Sequence, residues 1–455
     1  MNLLRALRLT PARSAREEWA DKGGVISLAG AGGKTTALFQ LARQLIDSPR
    51  KESSVIVTAT THLGAWQTSL ADHRIIAGDV TTLAALENFP PRGVTLVTGE
   101  IENNRTKPIS QAALFWLRAD AQNKKIPLLI EADGSRQKPI KAPADYEPPI
   151  PDFSDTVIIS AGLSAIGKPL DDEHIHRAEI FSQLSGLKIN QPVTAEAITQ
   201  ALTHPQGGLK NIPPAARRIA LLNQADTPEL QSIGGGLARK LLHHFDAVLV
   251  GSLQNSELQT FEHSAGIILA AGESTRFGKP KQLLDWKGKS FVRQIAETAL
   301  QAGLWPVVVV TGSHAAEAES TLNGLPVSIV YNPEYQQGQS TSIRAGILAL
   351  PKNTGSAIFL LADQPQIPVD IIGALVESHT REMQAILAPL VLEERRANPV
   401  LFDRVTFPDL LRLTGDVGGR AIFDKHRVEY LPWHDDILLF DVDKPEDYQR
   451  LKDLE

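Results

Sequence analysis

The sequence predicts an α/β protein of two domains, each a parallel sheet wrapped by helices. Three observations carry this. Two segments, opening at Val25 and Ile267, share one layout: a β-rich apolar run, a small-residue turn rich in glycine, then a helix. Short β-branched runs alternate with helical stretches along both halves, the pattern of strands joined by crossover helices. The chain has 455 residues, the length of two or three domains at ~150 residues each.

Taken in order, Leu3, Leu4 and Leu7 interleaved with Arg5, Arg8, Arg13 and Arg16 predict a first amphipathic helix, with no apolar core of an export signal. Residues 25–29 read as a strand, 30–36 as its turn and 37–46 as a helix. Further strands are expected at 54–57, 94–97, 128–130, 156–159, 219–222 and 247–250. Residues 142–151 are proline-rich and read as a functional loop or rigid turn. Residues 251–264 are polar and aperiodic and read as a linker with its boundary near Asn255, which sets the domains at 1–253 and 264–455. In the second half, strands are expected at 266–270, 307–310, 327–330 and 357–361, with helices near 291–301, 340–350 and 369–378.

Composition narrows the function classes. With 46 Lys+Arg against 52 Asp+Glu the net charge is −6, so the overall field attracts neither nucleic acid nor an anionic membrane surface. The absence of cysteine removes disulfides, thiolate catalysis and cysteinyl metal sites and suits a reducing cytoplasm. Apolar runs such as 385–392 fall short of the ~20 residues a membrane span needs.

In the first half, Gly30-Ala-Gly-Gly-Lys-Thr-Thr36 lies between strand and helix, where amides unobstructed by Cβ atoms can meet phosphate oxygens. Gly30, Gly32 and Gly33 would form the turn, Lys34 would reach terminal phosphates and Thr35 would ligate Mg²⁺, as in a P-loop. Leu28 stands where the full pattern has glycine. Glu131 and Asp133 end a buried strand in the manner of a Walker B carboxylate, with Asp133 the expected metal ligand. Asn223 and Asp226 have the spacing of a guanine-reading pair, with Gln224 in place of lysine; both residues are equally good helix caps. Thr58, Thr60, Thr61 and His62 follow the second strand and could line the same site, whereas His174 and His176 read as a solvated charged turn. Together GAGGKTT, EADGSR with KPIKAPADYEPPIP, and LLNQAD resemble the selenium-dependent hydroxylase accessory protein family over residues 1–253. That resemblance implies a role in maturing molybdenum hydroxylases, while the P-loop-like turn and the Asn223/Asp226 pair point to ATP or GTP as the bound nucleotide.

The second half carries Leu269-Ala-Ala-Gly-Glu-Ser-Thr-Arg-Phe-Gly-Lys-Pro-Lys-Gln282. The turn at Ala270, Ala271 and Gly272 lets backbone approach a nucleotide, and Arg276 and Lys281 supply two cations of different reach. Asp363 ends an apolar run and Asp443 lies in FDVDKPED near the C-terminus. These motifs resemble the molybdenum cofactor cytidylyltransferases over residues 264–455. The resemblance implies a P-loop-like domain followed by a Rossmann-like nucleotidyltransferase domain, with Arg276, Lys281, Asp363 and Asp443 catalytic and both aspartates on Mg²⁺. It further implies that Leu269 to Gly272 and Ser340 contact CTP, with Asn332 and Pro333 beside the base and ribose. Residues 398–402 and 415–420 would face a molybdopterin acceptor. The rival readings are a nucleotidyltransferase with another acceptor and a non-catalytic carrier of finished cofactor.

Overall fold

The computed structural model describes residues 1–9, 19, 23–47, 54–85, 89–273, 277 and 280–453. It divides into two compact units, Met1–Phe261 and Glu262–Glu455.

The first unit is built on a nine-stranded sheet. Its elements are β1 (Val25–Gly30), α1 (Lys34–Ile46), β2 (Ser54–Ala59), β3 (His73–Ile76), β4 (Gly93–Thr98), α2 (Gln111–Lys124), β5 (Leu128–Glu131), β6 (Thr156–Gly162), α3 (Ala178–Ser185), α4 (Ala195–Thr203), β7 (Arg217–Asn223), α5 (Pro228–Leu241), β8 (Ala247–Ser252) and β9 (Glu257–Phe261). The sheet order is β9-β8-β7-β6-β1-β5-β2-β4-β3, parallel except for β9. Strands β2, β5, β6 and β8 are buried along their whole length, as a parallel sheet covered on both faces requires. Ile158 and Leu221 pack on one face, Val157 and Leu222 on the other. Truncating any of these to alanine would cost about 2–5 kcal/mol through lost burial and the cavity left behind. Helix starts follow local chemistry: Ser110 accepts from the Ala113 amide ahead of α2, and Thr227 does the same for Leu230 ahead of α5, whose first residue is proline.

Two sequence expectations change here. The N-terminal helix is a single turn, Leu3–Ala6, capped by Asn2 and pinned by buried Leu3, Leu4 and Leu7; Arg13 and Arg16 lie outside the described residues. The stretch expected to be a linker is instead a hairpin, because β9 pairs antiparallel with β8 and buries Leu258, Thr260 and Phe261. Alternation within Glu257-Leu-Gln-Thr-Phe261 was too short to stand out from its polar flanks. The division between units accordingly falls at Phe261/Glu262 and not near Asn255.

The second unit comprises β10 (His263–Ala270), α6 (Phe291–Gln301), β11 (Val307–Thr311), α7 (Ala315–Leu322), β12 (Ser328–Tyr331), α8 (Gln339–Leu348), β13 (Thr354–Leu361), α9 (Val369–Glu382), β14 (Ile386–Val391), β15 (Val400–Asp403), β16 (Val428–Trp433) and α10 (Pro445–Lys452). Strands run β12-β11-β10-β13 in parallel, and β15 adds to β13 antiparallel, followed by β14, which also pairs with β16. The chain winds outward from β10 through β11 to β12 and then returns across β10 to place β13. That reversal opens a crevice at the carboxyl ends of β10 and β13, the place where open α/β sheets receive ligands.

Candidate functional site

In the second unit, register Leu269↔Leu361 brings the turn after β10 beside the turn after β13, and the Ala362 amide donates to Leu269 O at 3.3 Å. Ala270 and Ala271 are buried, and Gly272 is exposed at the crevice. Gly312 packs so tightly on this turn that a Cβ there would lie 2.8 Å from Ala271 O. The Leu269 side chain packs into the core, so that its backbone alone borders the turn. Arg276 lies outside the described residues.

Lys281 Nζ sits 2.8 Å from Asp443 Oδ1 and 3.9 Å from Asp363 Oδ2, so these three expected site residues are brought together. Burial, opposed by Lys281 and reinforced by Asp441 and Asp443, pushes the Asp363 carboxyl up to about 6. Asp441 is the residue the sequence reading passed over. It accepts from Gln364 Nε2, and burial with Asp443 nearby raises its carboxyl as well. Gln366 Nε2 donates to Phe440 O at 2.6 Å, and the Asp443 and Lys444 amides donate to Asp447 at the start of α10. The Gln364 and Gln366 amides thus hook the C-terminal segment onto the β13 turn. The signal was the paired glutamines of Asp363-Gln-Pro-Gln366, whose partners lie more than 70 residues away.

Other expected contacts are committed within the protein. Ser340, 1% exposed, donates to Gly415 O at 2.7 Å, and Asp416 accepts from the first amide of α8. Asn332 donates to Thr341 and Ser342 at 2.8 and 3.0 Å and accepts from Glu334 N. These contacts seat the 415–420 turn against the start of α8, with Arg420 exposed and 3.3 Å from Asn398 Oδ1.

In the first unit, Gly30, Gly32 and Gly33 all take positive φ, the last at 114° as the N-cap of α1. A Cβ at Gly30 would lie 2.2 Å from Ser160 O. Three amides of this loop donate inward: Gly30 to Asp133, Ala31 to Ser160 O and Gly32 to Lys138 O. An anion at this loop would therefore have to be met by the amides of the first turn of α1. Lys34 is buried, donating to Gly30 O and lying 3.2 Å from Asp133. Asp133 also meets Lys141 at 2.8 Å; Lys141 meets Glu147 at 2.8 Å, and Arg177 grips Glu147 through both nitrogens at 2.7 and 3.1 Å.

The two residues expected on a metal, Thr35 and Asp133, have different partners in this structure. Asp133 is occupied by Gly30, Lys34 and Lys141, while Thr35 Oγ1 donates to Glu131 Oε2 at 2.7 Å. Glu131 is the carboxyl beside Thr35, and burial raises its pKa. Asn223 does not present an open amide to a base: it donates to Gly32 O at 2.7 Å and accepts from Leu253 N, locking the glycine loop, while Asp226 is exposed. Thr60 N donates to Glu131 O, and His62 lies exposed with Nδ1 2.8 Å from Thr106 O. His174 pairs with Asp171 at 2.8 Å in a turn where Asp171, Glu173 and His174 cluster within 4.8 Å. His176 is half-buried and stands opposite Lys141 in a short parallel ladder that pairs residues 175–176 with 140–141.

Crevice, turn and carboxylates define the second unit as a nucleotidyltransferase, carried behind an α/β unit with a glycine-loop lysine. The family models agree: residues 26–179 match the YqeC protein family and residues 266–430 the MobA-like NTP transferase domain. The chain is 31% identical over 235 residues to the uncharacterized protein YqeC of Escherichia coli (strain K12), covering 50% of this chain and 88% of that protein. A nicotine blue oxidoreductase of Paenarthrobacter nicotinovorans is 32% identical over 196 residues, covering 41% of this chain and 95% of that one. The molybdenum cofactor cytidylyltransferase of Escherichia coli (strain K12) is 33% identical over 106 residues, 23% of this chain and 54% of the enzyme. The chain belongs to the YqeC family through its first unit and to the MobA-like NTP transferases through its second.

Proposed function

We propose that the second unit transfers CMP from CTP to molybdopterin cofactor, releasing pyrophosphate, and that the first unit binds a purine nucleotide, ATP or GTP, in the service of molybdenum hydroxylase maturation in the cytoplasm. No helix among the described residues is long and apolar enough to cross a membrane. The carrying observation is the Lys281–Asp443–Asp363 cluster at the carboxyl ends of β10 and β13. The 33% identity to a cytidylyltransferase supports the choice of base and acceptor.

The cluster suits Mg²⁺. Asp363, Asp441 and Asp443 offer hard oxygen donors, and burial, reinforced by the neighbouring carboxylates, raises the pKa values of Asp363 and Asp441. Asp363 and Asp443 would hold the ion, which when bound neutralises charge on the triphosphate and on the departing pyrophosphate. The residues of this chain do the positioning. Backbone at Ala270 to Gly272 admits the nucleotide closely, and Lys281 exchanges its carboxylate partners for phosphate oxygens. Gln364 and Gln366 keep the C-terminal segment in place. The acceptor phosphate is already an anionic nucleophile, so it attacks the α-phosphorus in line with little base help and no covalent enzyme intermediate.

Pyrophosphate release from CTP with purified full-length protein, Mg²⁺ and molybdopterin cofactor tests the transfer. A carrier or an oxidoreductase releases none, and release only with a sugar phosphate would replace the acceptor. For the first unit, titration calorimetry of the full chain with ATP and GTP should show binding that Lys34→Ala abolishes while pyrophosphate release persists. Binding unchanged by that substitution would overturn the phosphate-loop reading.

A further inference from the structure

The crevice of the second unit has two sides. The nucleotide turn after β10 lies on one side of β13, and β15 and β14 follow on the other. Neighbouring strands are about 5 Å apart, so groups at the ends of β15 and β14 meet the carboxylate cluster from across β13. β14 ends at Val391 and β15 starts at Val400, so the segment 392–399 joins them at the same end of the sheet as Asp363. Register Phe359↔Val400, carried two residues further, sets Asn398 level with Leu361.

Two arginines stand there. Arg420 Nη2 donates to Asn398 Oδ1 at 3.3 Å, and the Arg396 guanidinium lies 5.4 Å from the centre of the Tyr430 ring on β16. Tyr430 and Ile422 belong to one core layer, so both cations come from the same face of the sheet. Both are exposed, and among the described residues neither forms an ion pair. The one acid of β16, Glu429, is paired with Arg427 at 2.5 Å. Neither arginine is loosely held. A Cβ on Gly419 would lie 2.8 Å from the Phe402 ring, and Ile422 is buried, so the backbone carrying Arg420 is fixed on the core. The Tyr430 ring steadies the head of Arg396. Guanidinium forks match phosphate oxygens, and little ordering remains to be done when one binds.

We propose that Arg396 and Arg420 seat the phosphate group of the acceptor, an inference that rests on the transferase reading above. The seat lies across Asp363 from the nucleotide turn, so acceptor and nucleotide enter from opposite sides of the carboxylates. An oxygen of the seated phosphate forms the bond to the α-phosphorus, and the bond from that phosphorus to pyrophosphate breaks. The nucleophile is already an anion, so no proton changes hands. The triphosphate of CTP offers the same chemistry, and the experiment must tell the two apart.

Pyrophosphate release by the full-length protein, measured against CTP and molybdopterin cofactor in turn, does so. Arg420→Ala and Arg396→Ala should each raise the KM for cofactor about 10–100-fold, the scale of a lost hydrogen bond to a charged group, with the KM for CTP within about two-fold of wild type. Arg420→Lys should recover only part of the loss, because an ammonium lacks the fork. A second arm needs no turnover. Equilibrium dialysis of inorganic phosphate against the metal-free full-length protein should count one bound phosphate fewer when Arg396→Ala and Arg420→Ala are combined, with thermal melting confirming the fold. A raised KM for CTP in place of cofactor would overturn the proposal, as would phosphate binding unchanged by the double substitution. Phosphate binding that depends on both arginines, in a protein that releases no pyrophosphate, would leave the anion seat standing and fell the transferase reading.

Discussion

The two glycine-bearing turns end equivalent strands yet handle charge in opposite ways. After β1, Lys34 is buried in a closed sequence of alternating charges running through Asp133, Lys141 and Glu147 to Arg177. After β10, Lys281 is the cation paired with Asp443 and Asp363 among the described residues, with Asp441 close by, and burial raises the Asp363 and Asp441 carboxyls. A closed network holds a loop in one shape, whereas an open carboxylate cluster is poised to receive a cation and a polyphosphate. The same local layout thus supports a rigid loop in one unit and a reactive crevice in the other.

The sharpest way to break this comparison is at Asp363. Asp363→Ala should lower pyrophosphate release by about 10²–10³-fold, because charge on the leaving group loses its counter-ion in the transition state. Asp443→Ala should act in the same direction, and turnover near wild type in either variant would remove the metal site. The first unit answers differently. Glu147→Ala leaves Lys141 and Arg177 sharing one carboxylate fewer and should destabilise that unit by about 3–5 kcal/mol. Calorimetry should then show one melting transition shifted down and pyrophosphate release at moderate temperature unchanged.

Acid should separate the units further. Glu147 is held down to about 2 from 4.5 by Arg177 and Lys141 against burial, so it stabilises the fold above pH 4.5, and this is lost as pH falls toward 2. His176, lowered from 6.5 to about 4, binds its proton more readily when unfolded, so the first unit already loses stability from pH 6.5 downward. Asp363, raised from 3.8 to about 6, does the reverse: the folded state holds the proton more tightly, and its contribution grows as pH falls through 6 toward 4. Burial raises Glu131 too, which offsets part of that loss within the first unit, so the contributions separate by substitution: Asp363→Asn should cancel the rise of the second transition as pH falls from 6 toward 4, and His176→Gln should cancel the His176 part of the fall of the first. A second transition unmoved by Asp363→Asn would contradict the charge contrast.

How much of this was legible depended on distance along the chain. The parallel strands were readable because each is a continuous apolar run buried on both faces, as at Leu128–Glu131. Edge strand β3 was not, since His73–Ile76 is short, half exposed and starts with two basic residues. Lys281, Asp363 and Asp443 could be matched as motifs, and the fold joins them. The functions of Asp441, Lys141 and Glu147 arise from partners that only the tertiary structure brings close. Asn223 shows the converse: a recognisable spacing whose amide the fold uses to lock Gly32.

The smallest expected effect concerns the base. Probable molybdenum cofactor guanylyltransferases of Bacillus cytotoxicus and Bacillus cereus resemble the second unit too, at 30% and 31% identity. Here Ala271 is 5% exposed, and its carbonyl accepts from Ser313 N at 3.1 Å, so the residue is held firmly where the strand gives way to the nucleotide turn. Under the proposed function its methyl group would narrow the base slot against a purine ring and leave the carboxylate cluster untouched. CTP should be used well ahead of GTP by the wild type. Ala271→Gly should relax that preference by roughly 10-fold, the scale on which one methyl group alters a fitted pocket, with the Mg²⁺ dependence unchanged. Equal turnover of CTP and GTP by the wild-type protein would refute the cytidylyl assignment and leave the role of Asp363 standing. A preference for CTP that survives Ala271→Gly would move the discriminating contact elsewhere on the crevice wall, to the segment that Asn332 and Ser340 hold in shape.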